Sequence, residues 1–257
     1  MTSSSLTACL GPRGESVCLT QLSSPRSAVL ARSSSPRCRS FCASAGNATN
    51  NSSGVIGVAW GAQLWSFKDG DSSPDPVKTV CGVEVSRLNG VYAVNISSGF
   101  TPYTPLTDKI TGAYNQNDMI VVASAGNNNG GAVTYPASIA EVIAVTATDI
   151  NNNGATFAAL GAKIELAAPG VNVISTSLPS GQLGYPCTNG TYVSTCSGTS
   201  FAAPAVAAAA AIVKARYPSW TNVQVRQRLQ NTATDLGSFG RDSQYGYGLL
   251  NLAAAAQ

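Results

Sequence analysis

Apolar positions along this chain follow two regimes. Through the first 41 residues they are scattered, with neither the 3.6-residue recurrence of a helix nor the alternation of a strand. From residue 42 onward short apolar runs alternate with helix-period stretches and with turns rich in Gly, Asn and Ser. That rhythm is the βαβ succession of a parallel sheet. Val55–Val58 and Gln63–Lys68 read as strands. Val91–Ser97 and Met119–Ala125 read as buried strands, the second apolar without a break from Met119 to Ala123, as a strand covered on both faces requires. Asp108–Gln116 reads as a helix between them, and Val142–Thr146 and Lys163–Ala167 as further strands. Ser200–Arg216 is an Ala-rich helix apolar almost all round, which predicts burial. Pro218 stops it, and Thr221 is placed to cap a last helix running to about Thr232. The pattern predicts an α/β domain over residues 42–257, behind a disordered Ser/Arg/Pro-rich tail at 1–41.

Composition narrows the classes. The 257 residues suit one large α/β domain, and 44% hydrophobic against 11% charged residues excludes a disordered protein. The longest apolar run, Phe201 to Val213, falls short of the roughly 20 residues a membrane span needs. The net charge of +3 is too small to suggest a nucleic-acid partner. It also belongs to the tail, where five arginines meet one acid, Glu15, and leave the remainder at −1. The tail has no apolar signal-peptide core; its Arg and Ser content suits a transit peptide or a segment wrongly joined to the domain. The seven cysteines include no C-x-x-C pair, which argues against zinc. Cys187 and Cys196 flank a Gly/Thr/Asn loop and are either a disulfide, implying an oxidising compartment, or two free thiols. The chain contains no His, which removes the usual general base.

The string most suggestive of chemistry is Cys196-Ser197-Gly198-Thr199-Ser200-Phe201-Ala202-Ala203-Pro204. A Gly/Thr turn delivers a serine to the first turn of a buried helix, where unpaired N–H groups and the positive dipole end favour a developing oxyanion. Taken alone, the same string is far more often an ordinary Ser cap on an Ala-rich core helix. Pro204 sits early in that helix, where its missing donor costs least.

The string has company. Gly198-Thr199-Ser200-Phe201-Ala202-Ala203-Pro204 resembles the serine signature of the subtilisin-like proteases, the subtilases. Gly54-Val55-Ile56-Gly57-Val58-Ala59, Val94-Asn95-Ile96-Ser97-Ser98-Gly99, Val121-Val122-Ala123-Ser124-Ala125-Gly126-Asn127 and Tyr135-Pro136-Ala137 resemble further family segments in order. So do Val142-Ile143-Ala144-Val145, Ala168-Pro169-Gly170 and Tyr245-Gly246-Tyr247-Gly248-Leu249-Leu250-Asn251. The resemblance implies a three-layer α/β/α sandwich with a mostly parallel sheet, truncated at its start. It implies a serine endopeptidase working through an acyl-enzyme on Ser200, with Asn127 donating to the oxyanion. Ser97, Ser98 and Gly99, with Ser124, Ala125 and Gly126, would line the primary specificity pocket. The partner implied is a peptide or protein substrate, met by a secreted monomer that requires no cofactor. The Asn50–Val55 loop resembles the family's calcium loop, with Thr49, Asn51, Ser53 and Val55 as oxygen donors, although the family's remaining ligands are not matched.

The family's other two catalytic groups are missing. Its Asp lies on the first strand, yet no Asp precedes Asp69. Counting back from Gly54 places its His on or near Cys38, and a thiol is a poor substitute base. The chain as written is therefore expected to be inactive. The alternatives are a catalytically dead, peptide-binding relative, or a fragment from a misassigned gene. Without the family's first strand, an exposed sheet edge is also expected.

Overall fold

In the computed structural model, residues 28–32, 55–67, 69, 73–176 and 193–257 are described. The unbroken apolar run after Met119 becomes β4 (Ile120–Ser124) because both of its faces are covered. Ile120 and Val122 face one core, and Val121 and Ala123 face the other. The same alternation holds in β5 (Val142–Thr148), where Ile143 and Val145 face one core and Val142 and Ala144 the opposite one. Six parallel strands form the sheet in the order β2–β1–β3–β4–β5–β6. Here β1 is Ala28–Arg32, β2 Gln63–Phe67, β3 Ala93–Ile96 and β6 Ile164–Pro169. Helices α1 (Pro76–Leu88) and α2 (Thr104–Asn117) contribute Val83, Leu106 and Ile110 to one core. Helices α3 (Thr199–Arg216), α4 (Asn222–Asn231) and α5 (Leu252–Ala255) contribute to the other. An antiparallel hairpin, β7 (Val173–Thr176) with β8 (Val193–Cys196), leads into α3. The result is the three-layer α/β/α sandwich.

The expected strands and the three expected helical regions are present, with ends moved by a few residues. Thr221 caps α4 through a reciprocal capping box with Gln224. The stretch Val55–Val58 differs: it is irregular chain entering a turn closed by Ala62 N–H on Ala59 O at 2.9 Å. Helix α1 escaped the apolar pattern because its charged and apolar positions are mixed; its signals are the Asp75 cap and Pro76 at the first turn.

The larger difference is β1. Disorder was expected throughout residues 1–41, yet Ala28–Arg32 is a strand paired on both sides, Leu30 lying between Trp65 and Val94. Five residues between Ser- and Pro-rich flanks are too few to display a period, and the strand is specified by the slot between its neighbours. The edge expected from a missing first strand is closed at that point.

Candidate active site

The site is assembled where β3 and β4 end and α3 begins. Ser200 is the second residue of α3 and only 7% exposed. Its N–H is one of the first-turn donors with no partner inside the helix. Its carbonyl is freed by sequence: the i→i−4 donor would be residue 204, and Pro204 has no N–H. Ser97 supplies the substitute, its Oγ donating to Ser200 O at 3.0 Å. Asn95 Nδ2 donates in turn to Ser97 Oγ at 2.9 Å, from a fully buried position on β3. Ser200 Oγ points back to Ser97 O at 3.4 Å, a weak bond. Sheet and helix α3 are thus stitched by two serines bonding each other's carbonyls.

Asn127 follows β4 and is exposed. Its Oδ1 accepts from Thr199 N at 3.0 Å and from Thr199 Oγ1 at 2.9 Å. A backbone N–H can only donate, so this pair fixes which end of the amide faces the helix. The Nδ2 end is left over the α3 cap; it would lie 3.3 Å from a Cβ added to Gly198. Gly198, at φ +155°, has the backbone that accommodates this approach. Thr199 Oγ1 also accepts from Gly126 N at 3.2 Å, joining β4's end to the helix start.

The two expected pocket segments converge. Ser97 and Ser124 are buried, Ala125 is fully buried, and Ser98, Gly99 and Gly126 are more open. Thr134 stands between them. A Cβ on Gly126 would meet Thr134 Cγ2 at 2.7 Å, and one on Gly99 would meet Thr134 Oγ1 at 3.6 Å. Thr134 is pinned to Ala125 O through N at 2.8 Å and Oγ1 at 3.1 Å. Thr199, Thr134 and Asn95 were not anticipated as site residues. Thr199 and Asn95 lay inside recognised strings, without a role assigned to either; Thr134 is brought in by tertiary packing.

The remaining expectations fall elsewhere. Thr49, Asn51 and Ser53 lie outside the described residues, and Val55 alone of the calcium loop is described, half-buried. Among the described residues no group of three His, Cys, Asp or Glu side chains could hold a metal ion. Cys187 lies outside the described residues, whereas Cys196 and Cys81 are each disulfide-bonded. The chain has no His, and β1 reads Ala-Val-Leu-Ala-Arg, without a carboxylate.

A serine at the start of a buried helix thus lies beside the Asn127 amide and two strand ends. The sequence pattern of the Subtilase family matches residues 40–248, and the chain belongs to that family of serine endopeptidases. It is similar to Subtilisin Savinase of Lederbergia lenta, 43% identical over 212 residues, covering 82% of this chain and 74% of that protein. It is 43% identical over 212 residues to an alkaline protease of Shouchella clausii, spanning 82% of this chain and 52% of that relative. Fervidolysin of Fervidobacterium pennivorans, described as a keratinolytic enzyme related to subtilisin, superposes with a TM-score of 0.73 at 28% identity. That match covers 84% of this chain and 35% of fervidolysin.

Proposed function

We propose that this chain is a subtilase domain that binds extended peptides in the Ser97–Gly99 and Ser124–Gly126 cleft without turning them over. Acyl transfer to Ser200 needs a base to take its proton and an acid to orient that base. The single observation carrying this reading is the absence of any His in the chain, joined to a β1 without a carboxylate. The Asn127 amide beside the α3 start and the open ends Ser97–Gly99 and Ser124–Gly126 support strand addition as the binding mode.

The disulfide-bonded Cys81 and Cys196 support an oxidising, extracellular setting. So does similarity to the Minor extracellular protease Epr of Bacillus subtilis, 39% identical over 212 residues and matched over 31% of its length. Among the described residues no helix is long and apolar enough to cross a membrane. The domain is read as a monomer with a peptide partner and no nucleic acid.

The test pairs two measurements on the full chain. Denatured casein should show no cleavage above buffer, while a fluorescein-labelled extended peptide should bind saturably. Turnover at the pace of an ordinary protease overturns the reading. A second reading, a gene segment wrongly joined upstream, is favoured by the compositional break near residue 41. Transcript sequence across codons 30–45 decides it: an in-frame His-Gly-Thr and an earlier Asp-x-Gly would restore a working protease.

A further inference from the structure

We infer that the open groove between α1 and α2 binds a short zwitterionic peptide, at a site separate from the cleft of Ser97–Gly99 and Ser124–Gly126. The two sites share no residue, and this inference does not depend on how the cleft acts.

The groove has a volume of about 550 Å³, the size of an ordinary small-ligand site. Glu84, Arg87 and Leu88 line it from α1, and Asp108, Lys109 and Gly112 from α2.

One carboxylate there serves two cations. Glu84 accepts from Arg87 Nε at 2.9 Å, from Arg87 Nη2 at 2.7 Å and from Lys109 Nζ at 3.1 Å. Its side chain is only 12% exposed, so it is committed to these partners. The three bonds leave Arg87 Nη1 and two N–H groups of Lys109 without an acceptor among the described residues. Both cationic side chains are partly exposed and can be reached from solvent. This part of the groove has one positive charge in excess and donors suited to the two oxygens of a carboxylate.

Asp108 supplies the opposite charge. It precedes Lys109 by one residue, is exposed, and makes no hydrogen bond or ion pair with any described residue. It repels a second negative charge and attracts an ammonium group. A simple anion would satisfy Arg87 and Lys109 but meet Asp108, and a simple cation would meet the reverse. A ligand with one charge of each sign satisfies both. Leu88, 49% exposed, offers that ligand's apolar side chain a surface to cover. Short peptides with both ends free fit this description, and they are what extensive proteolysis, the chemistry of the Subtilase family, releases.

The experiment is isothermal titration calorimetry of the full chain with L-leucyl-L-leucine, its N-acetyl form and its C-terminal amide. The free dipeptide should bind, and blocking either end should weaken binding about tenfold. Lys109→Gln keeps the Glu84–Arg87 pair and should remove the preference for the free carboxylate. Asp108→Asn, at an exposed position, should remove the preference for the free amine. Equal binding of all three compounds, or binding of none, overturns the inference. Full affinity for the N-acetyl form makes the groove a plain anion site and overturns the zwitterion. Preferences unchanged in both variants place the dipeptide elsewhere on the molecule and overturn the site. Each of these outcomes leaves the reading of the Ser97–Gly99 cleft untouched, since that reading is tested with a long extended peptide.

Discussion

At the scale of single residues, the site depends on a missing hydrogen atom. Pro204 cannot donate to Ser200 O, and the orphaned carbonyl is taken by Ser97 Oγ at 3.0 Å. The chain therefore uses a proline to bind the first turn of α3 to the sheet instead of to its own next turn. Ser97→Ala leaves Ser200 O and Asn95 Nδ2 without their partner inside the core, at a cost of about 1–3 kcal/mol for an unsatisfied buried group. Adding Pro204→Ala to Ser97→Ala returns an N–H to position 204 and should recover part of that loss. Urea unfolding of the four variants of this cycle reads the coupling; strictly additive effects would show that Pro204 and Ser97 do not share the carbonyl. The Pro204 position was legible in the sequence, but its consequence was not, because the replacement donor Ser97 is 103 positions from Ser200 along the chain.

At the scale of elements, legibility followed burial. Strands β3, β4 and β5 lie between two helix layers and show as apolar runs; α3 shows as an Ala-rich helix because it is buried nearly all round. Helix α1 lies outside and was invisible to that criterion. It is held to α2 by charge: Glu84 accepts from Arg87 at 2.9 and 2.7 Å and from Lys109 of α2 at 3.1 Å. The Arg87 hydrogen bonds first, and Lys109 after them, hold the Glu84 carboxyl at about 2 despite partial burial. A carboxyl depressed on folding contributes stability above its unfolded value near 4.5, and that contribution is lost as pH falls from there through about 2. Thermal midpoints of wild type and Glu84→Gln should therefore differ at pH 7 and converge toward pH 2. A difference that stays constant across that window would mean the Glu84 charge contributes nothing to holding α1 on α2.

At the scale of the whole molecule, the question is whether the sheet is one sheet. Without β1, β2 is cut off from the five-residue ladder it makes with Ala28–Arg32, and β3 has no neighbour on that side. The sequence offers little to announce this: Ala-Val-Leu-Ala-Arg is short, its flanks are Ser and Pro, and its neighbours in space come from residues 63–67 and 93–96. A central strand tolerates no proline, since the ring removes a ladder donor and finds no compensating partner. Leu30→Pro should therefore destabilise the whole domain by about 1–3 kcal/mol or more. The same substitution in a disordered tail would be neutral. The midpoint of urea unfolding, with Ser5→Pro as a control outside the described residues, separates the two. An unchanged midpoint for Leu30→Pro would remove β1 from the sheet.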